Sequence, residues 1–485
     1  MRKIAFLLMV ALLAAGCGGG GGGDDGPPGT ITFDAVDFNR STSYPYIHHE
    51  VPATKVGEGR RCYIYVEEGY SVPDPVIREL ADDFDDRIYQ RVTSHFGSEP
   101  NPGVDGYPKI FILLMDIRGE GLASYTAGYF YALNEYKGIE NSNEKEILFM
   151  DIEEGDPSDM DFKRTMAHEF QHMIHWEQKT NRLGIFDNTW LDEAMSEIAP
   201  FFAGYGPDYG RVLTFETGNN RSDSLTLWGD NPDDPLPDYA VAYMWAQYIA
   251  DRFPANAFRN ILGSNQRGIA SVEEYLQSLD PTLNFSSVFR DWSIAVFSGT
   301  DENLTGNPAW SYRSIDTRPG IRYNLDGYPY PLPGLFTETN RNTELLPPLG
   351  PWSIDLRWYT SSSIDSTLIW TAGSSPPPRA SFYDNTGATF TFEMVSGVSY
   401  PYHDAAILIL QNAQDDSSSA SGATNPYLSV NATSPASRLS SVSTSEAAVA
   451  YKAATGKRLP VCMNDLLNGR TREIQRRMTE ERHAH

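Results

Sequence analysis

The chain has 485 residues, of which 40% are hydrophobic and 21% are charged, so its composition is that of a globular protein rather than a disordered one. Its 64 acidic residues outnumber its 38 Lys and Arg residues and give a formal net charge of -26. Such an acidic surface repels phosphate backbones, which argues against nucleic acid as a partner. Three cysteines are too few for a disulfide framework, although Cys62 and Cys462 could pair in an oxidising compartment.

The N-terminus has the pattern of a bacterial lipoprotein signal. Two basic residues precede an apolar run over 4–15, which is too short to span a bilayer and suits the core of a signal peptide. Residues 13–17, Leu-Ala-Ala-Gly-Cys, resemble a lipobox, in which the cysteine is lipidated. The alternative is an ordinary signal peptide with an incidental cysteine. A Gly-rich tether follows over 18–30, so we expect Cys17 to anchor the chain outside the cytoplasm, at the outer membrane or cell surface.

After the tether, hydrophobic patterns predict helices and strands as far as residue 302. Apolar residues at helical spacing predict a helix over 72–96, and apolar runs predict strands over 109–117, 127–136 and 146–152. Further helices are predicted over 159–181, 188–204, 238–253, 272–278 and 285–297. Residues 303–350 are dense in Pro, Gly and Tyr, which is typical of a linker that wraps around a fold.

Short β runs replace this pattern after Pro351. They cover 353–359, 367–371, 389–394, 405–412 and 427–432, with turn residues between them, and predict a small all-β sandwich. The predicted organisation is a signal peptide and lipobox (1–17), a tether (18–30), a mixed domain (31–302), a linker (303–350), a sandwich module (351–433) and a Ser-rich, charged tail (434–485).

The segment His168-Glu169-Phe170-Gln171-His172 carries the clearest chemical pattern. Histidines at positions i and i+4 lie about 6 Å apart along one helix face, so both rings can bind one zinc ion. Glu169 beside them is placed to activate a metal-bound water. The histidines fall opposite an apolar stripe, so we expect separate faces for metal and core; the stripe consists of Phe162, Met166, Phe170 and Met173.

A catalytic zinc site takes three protein ligands and leaves a position for water. His175 is too far along the helix from His168 to share the ion, and we interpret it as a packed histidine or part of a cleft wall. Glu193 and Glu197 share one face of the next predicted helix, where like charges are unfavourable without a nearby cation. A solvated acidic face is the alternative. Given the histidine pair, we favour Glu193 as the third ligand and Glu197 as the carboxylate that holds the ring N–H of His168.

Residues 168–176 and 190–199 together resemble the gluzincin pattern of thermolysin-like zinc peptidases. Phrases at 128–130, 142–144 and 150–151 are similar to the hyicolysin family of secreted bacterial metallopeptidases. With the predicted elements, the resemblance implies an α+β protein. A zincin-type catalytic domain, with a mixed sheet, an active-site helix and a helical C-terminal subdomain, would precede the small all-β sandwich module.

The resemblance also implies roles for individual residues. His168, His172 and Glu193 would bind one catalytic Zn2+ ion, Glu169 would be the general base, and a strand near 127–131 would pair with the peptide substrate. Asp192 departs from the family pattern, which usually has Asn before the ligand Glu. We expect Asp192 to support the site and alter its charge without abolishing metal binding.

Zinc peptidases also need a hydrogen-bond donor for the tetrahedral oxyanion. Residues 238–244 resemble the helix that carries the catalytic tyrosine in gluzincin aminopeptidases, and the register assigns that role to Tyr239. The alternative is that Tyr239 and Tyr243 only pack. The Gly-x-Met-Glu-Asn loop of those exopeptidases does not occur in the sequence, so endopeptidase activity is expected.

An acidic cluster over 151–161 has the oxygen ligands that Ca2+ prefers. It lacks EF-hand spacing, and its charges equally suit the N-terminus of the following helix. Calcium is therefore the weaker of two interpretations.

The sequence thus predicts a lipid-anchored, monomeric zinc endopeptidase that acts on extracytoplasmic proteins or peptides. Two alternatives stay open: a catalytically inactive surface adhesin or binding lipoprotein on a metallopeptidase scaffold, and a non-proteolytic zinc hydrolase. A decayed peptidase would be expected to lose Glu169 or a ligand first. All four residues of the proposed centre are present, which favours the enzyme.

Overall fold

The computed structural model describes residues 27–317 apart from 41–45, 119–123, 218–219 and 230–233. Between 322 and 431 it describes the strands and a few adjoining residues, and it describes a last strand at 459–462. The predicted signal peptide, Cys17 and most of the predicted tail lie outside the described residues. Within the described part of the chain, no helix combines the length and apolar character that crossing a bilayer requires.

A mixed sheet with helices packed on it forms the first part of the chain. The strands are β1 (Thr30–Val36), β2 (His48–Glu58), β3 (Cys62–Glu67), β4 (Ile110–Met115), β5 (Ser124–Phe130) and β6 (Ile147–Asp151). The helices are α1 (Asp74–Asp83), α2 (Gln90–Phe96), α3 (Met160–His175), α4 (Thr189–Pro200), α5 (Tyr209–Glu216), α6 (Leu236–Arg252), α7 (Ala257–Leu262), α8 (Ile269–Leu279), α9 (Phe285–Ser298) and α10 (Glu302–Thr305). Wider π-helical turns join α1 to α2 and extend α3 and α4; they cover Phe84–Tyr89, Trp176–Asn181 and Phe201–Tyr205.

The rest of the described chain is β structure. Its strands are β7 (Arg322–Leu325), β8 (Tyr328–Pro331), β9 (Thr337–Thr339), β10 (Glu344–Leu345), β11 (Ser353–Thr360), β12 (Ser366–Ala372), β13 (Arg379–Asp384), β14 (Thr389–Thr391), β15 (Ser399–Tyr402), β16 (Ala405–Asn412), β17 (Leu428–Asn431) and β18 (Leu459–Cys462). Most of them form two sheets, with strand orders β10-β17-β12-β15 and β14-β13-β16-β11-β9. The second of these sheets packs on α9, where Trp352, just before β11, meets Phe285 with ring centroids 4.6 Å apart and Tyr383 of β13 meets Phe297 at 5.0 Å.

The large sheet has the order β1-β2-β3-β4-β6-β5-β18. Its central strands β3, β4 and β6 run parallel to one another, and their side chains alternate between the two faces. Ile64 and Ile112 join the core beneath the helices, whereas Tyr65 and Phe111 join an aromatic cluster on the opposite face. Burial on both faces explains why β4 is a continuous apolar run rather than an alternating one.

Helix α3 lies on the sheet against β5 and β6 and packs against α4. The approach to β5 is close at Gly128, where an added Cβ would lie 2.9 Å from Cγ2 of Thr165 and 3.2 Å from Cγ of Glu169. A side chain at this position would push α3 away from the strand. Because α4 packs against α6 as well, the two helices that carry the predicted site are held from both sides.

The predicted α+β class, with a β module after a mixed domain, is confirmed. Several elements differ in extent. The strand expected over 127–136 begins at Ser124 and ends at Phe130, and a buried 3-10 turn follows at Ala132–Glu135. Strands β1 to β3 were not predicted; in β2, Pro52 and Gly57 interrupt the strand pattern. The segment predicted as a linker contributes β9 and β10 to the two C-terminal sheets.

The possible disulfide between Cys62 and Cys462 does not fit this topology. Cys62 is in β3 and Cys462 is in β18, with β4, β6 and β5 between them. Four interstrand spacings place the two residues on the order of 19 Å apart, whereas a disulfide needs Cα atoms within about 7 Å. Cys62 is a buried free thiol, and burial raises its pKa to about 12.

Candidate metal centre

Helices α3 and α4 bring His168, His172 and Glu193 together. The Nε2 atoms of the two histidines lie 3.0 Å apart. Oε2 of Glu193 lies 3.4 Å from each of them. One potential ligand atom from each residue falls within a common span of 4.8 Å, and no other group of three His, Cys, Asp or Glu residues does so in the described part of the chain. The three ligands expected from the sequence therefore converge on one point.

The other ring nitrogens of the two histidines face carboxylates. Nδ1 of His168 lies 3.5 Å from Oε1 of Glu197, and Nδ1 of His172 lies 3.0 Å from Oδ1 of Asp192. Carboxylates in these positions favour the tautomer with the proton on Nδ1. Both Nε2 lone pairs then point at each other, an arrangement that is favourable only with a cation between them.

Glu193 supplies an independent indication of a cation. Its side chain is fully buried, and neither carboxylate oxygen has a hydrogen-bond partner among the described residues. Burial alone would raise the pKa of Glu193; positive charge at the facing rings of His172 and His168, or a cation held between them, keeps that pKa well below its usual range. A buried carboxylate without donors is costly unless it is paired or binds a metal. Two imidazoles and one carboxylate are the donor set of a catalytic zinc site, so the residues present fit a Zn2+ ion.

Glu169 lies between helix α3 and strand β5. Its Oε2 accepts a hydrogen bond of 2.9 Å from the backbone N–H of Phe130, and its side chain is buried. The residue therefore faces the strand on which the sequence predicted substrate pairing. The α3 face expected to be separate from the core is itself buried, because α4 and β5 cover it; His168 and His172 are 7% and 2% exposed.

Sequence reasoning missed Arg211 on α5, which supports Glu197. The Arg211 guanidinium binds the Glu197 carboxylate with two hydrogen bonds, from Nε to Oε2 at 2.7 Å and from Nη2 to Oε1 at 2.9 Å. Both side chains are buried. Asp208 is the residue that could have located this helix from the sequence, because an Asp is a common N-cap. Its side chain caps α5 by accepting a hydrogen bond from the backbone N–H of Arg211.

We expect Arg211→Met to destabilise the protein by about 3–5 kcal/mol, because it leaves the buried Glu197 carboxylate unpaired. The double variant Arg211→Met/Glu197→Gln removes both charges and should recover most of that loss. Urea unfolding followed by circular dichroism measures both effects. A loss below about 1 kcal/mol for Arg211→Met would mean that this pair behaves like an exposed ion pair.

His175 is a packed histidine, as expected. Its Nδ1 lies 3.1 Å from Oδ1 of Asp192 and its Nε2 lies 3.4 Å from Oδ2 of Asp187. Lys179 lies 3.8 Å from the same Asp187 oxygen. A row of polar groups thus leads from Lys179 through Asp187, His175 and Asp192 to His172. His172, His175, Asp187 and Asp192 also line a small cleft beside the centre, together with Phe130 and Trp176.

Tyr239 is linked to the centre through Arg211. Its buried ring contacts Trp228, with centroids 5.0 Å apart, and the Arg211 guanidinium lies 5.0 Å from its centroid. Because Arg211 binds Glu197 and Glu197 faces His168, Tyr239 is connected to the histidine pair through three successive contacts. Tyr243 is used differently: its hydroxyl accepts from the backbone N–H of Asp208 and donates to Oε1 of Gln247.

The acidic cluster before α3 is partly explained by local hydrogen bonds. The Asp151 carboxylate accepts backbone N–H groups from Ile117, Glu154 and Gly155. Burial raises the pKa of Asp151 to about 6. These hydrogen bonds account for the position of the Asp151 carboxylate, and calcium binding stays a prediction.

The mixed sheet, the helix with two histidines and the carboxylate from the next helix together form a zincin-like domain. The chain is similar in sequence to the neutral metalloprotease ShpI of Staphylococcus hyicus, with 26% identity over 277 residues. The aligned stretch is 54% of this chain and 62% of that relative's length. No protein-family model matches the chain. The resemblance to hyicolysin-like zinc metallopeptidases that the sequence predicted is thus confirmed.

Proposed function

We propose that the chain is a zinc-dependent endopeptidase in which His168, His172 and Glu193 hold the metal and Glu169 is the general base. The observation that carries the proposal is the convergence of two Nε2 atoms and a buried carboxylate without hydrogen-bond donors. The similarity to a neutral metalloprotease supports the same conclusion.

A bound zinc ion would supply Lewis-acid polarisation of the scissile carbonyl and would acidify water at the site. Glu169 takes a proton from the attacking water and later delivers it to the leaving amine. The hydrogen bond from Phe130 fixes the orientation of Glu169. Strand β5, which supplies this N–H, would then also present its backbone edge to an extended peptide.

Glu197 and Asp192 would orient the two zinc histidines through their Nδ1 atoms. Arg211 fixes Glu197 and packs on the ring of Tyr239. We assign to Tyr239 the role of hydrogen-bond donor to the tetrahedral oxyanion. The assignment rests on the register of α6 and on the contact between the Tyr239 ring and Arg211.

The proposed substrates are proteins and peptides outside the cytoplasm. Lipidation of Cys17 would hold the enzyme at a bacterial membrane, with residues 18–30 as the tether. We propose a monomer as the working form; His168, His172 and Glu193 come from one chain, so the centre requires no residue of a second subunit.

Incubating the purified protein with casein and with a peptide library tests this function. We expect internal cleavages that stop after chelation and return when zinc is added. Cleavage of chromogenic esters without any cleavage of peptides would instead indicate a non-proteolytic hydrolase. Stoichiometric zinc with no hydrolysis of either substrate would favour the binding lipoprotein.

Asp192→Ala should weaken zinc binding by about 10–100-fold, because His172 loses the carboxylate that orients its ring. Asp192→Asn is the matched control, since its amide oxygen can still accept from Nδ1 and Asn is the residue usual in the resembling family. Competition with a fluorescent chelator measures both affinities. Equal affinities for the Ala and Asn variants would rule out this role for Asp192.

A further inference from the structure

Strand β5 would be the free edge of the large sheet if β18 were absent. Residues Leu459–Cys462 pair with it in parallel, with Leu459 opposite Ser124 and Cys462 opposite Gly128. An unpaired edge strand offers a row of backbone donors and acceptors to any extended chain. In this structure, residues 459–462 pair with those backbone donors and acceptors of β5.

The paired part of β5 reaches the centre itself. Gly128, opposite Cys462, is the residue whose Cβ would lie 3.2 Å from Cγ of Glu169. Two residues further, Phe130 donates its N–H to Glu169. A peptide substrate that added itself to β5 beside the general base would need the backbone groups that β18 occupies.

We propose that residues 459–462 are an intramolecular occupant of the substrate-binding edge and lower the affinity of the enzyme for extended peptides. This inference rests on the proposed peptidase function and adds a partner for the same surface, namely the chain's own C-terminal segment. The recognition is that of strand addition, in which main-chain hydrogen bonds provide most of the affinity.

The pairing has the properties of a displaceable contact. It is four residues long, and its register shifts between Val461 and Cys462. Pro460 has no N–H to donate, and parallel pairing is slightly weaker than antiparallel pairing per residue. The segment is tethered, however, which gives it an effective concentration in the millimolar range. A weak strand can therefore occupy the edge until a substrate competes for it.

Two truncations test the proposal. A chain that ends at Ala454 lacks β18, whereas a matched control that ends at Asn468 keeps β18 and loses only the charged residues after it. Against a long fluorogenic peptide, we expect the shorter chain to have a KM about fivefold or more below that of the full chain, with kcat little changed. The control should match the full chain.

Amide hydrogen exchange gives a readout that does not depend on catalysis. Backbone amides of residues 124–128 should be protected in the full chain and the control but exchange faster in the chain that ends at Ala454. A synthetic peptide of residues 455–468 should restore protection and inhibit the shorter chain competitively, whereas a scrambled peptide should not.

Equal exchange at 124–128 in all three chains would overturn the proposal, as would equal KM values with normal hydrolysis. If the shorter chain does not fold, as judged by the absence of a cooperative unfolding transition, β18 has a structural role. That result would also overturn the proposal. If exchange changes as expected but no chain hydrolyses peptides, the peptidase function fails while the strand exchange stands.

Discussion

Replacing Glu169 with Gln should lower kcat for casein or peptide hydrolysis by at least about 100-fold, because general acid–base catalysis contributes roughly 10²–10⁴ in rate. Gln keeps the size of the side chain and can still accept from the Phe130 N–H, so the contact between α3 and β5 is retained. It cannot take up and return the proton. Zinc content and the unfolding midpoint should therefore stay near those of the unsubstituted chain.

The matched control is Glu177→Gln. Glu177 follows α3 in the chain and accepts a hydrogen bond from Asn181, far enough along the helix that it takes no part in the proposed centre. Its substitution should leave kcat unchanged. Hydrolysis by the Glu169→Gln protein at the rate of the unsubstituted chain would exclude Glu169 as the base.

Replacing Glu193 with Ala should abolish stoichiometric zinc binding and, with it, hydrolysis. The substitution removes the one anionic ligand, so the two neutral imidazoles alone would have to hold a divalent cation. Structural and catalytic zinc sites lose most of their affinity when a ligand is removed, because each ligand forms a bond to the metal and helps to fix the coordination geometry. Zinc per chain, measured by mass spectrometry after gel filtration, should fall from about one to near zero.

Glu99→Gln provides the control for a change at a buried carboxylate. Glu99 is 3% exposed and accepts from the Tyr89 hydroxyl, but it is not part of the group formed by the two histidines and Glu193. This variant should keep its zinc. Full zinc content in the Glu193→Ala protein would mean that the metal is held elsewhere and that Glu193 is not the third zinc ligand.

The convergence of His168, His172 and Glu193 could be predicted from the sequence, because the helical period determines which residues share a face in each of two helices. Spacing i, i+4 places His168 and His172 on one face, and the same spacing places Glu193 and Glu197 on another. Once the helices pack, Oε1 of Glu197 lies 3.5 Å from Nδ1 of the His168 ring. Besides this local spacing, the prediction of the metal centre required only the assumption that α3 and α4 pack against each other.

The partners of these carboxylates could not be predicted in the same way. Arg211 reaches Glu197 from α5, a short helix with little periodic signal, and the contact depends on tertiary packing. Strand β18 pairs with β5 across more than three hundred residues of sequence, and a four-residue strand has no reliable pattern of its own. The burial of both faces of α3 similarly follows from packing against α4 and β5 rather than from its hydrophobic stripe.

X-ray absorption at the zinc K-edge tests the central claim most directly. For the zinc-loaded protein we expect a first coordination sphere of two imidazole nitrogens and oxygen donors, at about 2.0–2.2 Å. Glu193→Gln should weaken or alter that sphere, whereas Glu99→Gln should leave it unchanged. A spectrum with sulfur ligands, or one that is identical in the Glu193→Gln protein, would contradict the assignment of His168, His172 and Glu193 as the metal ligands.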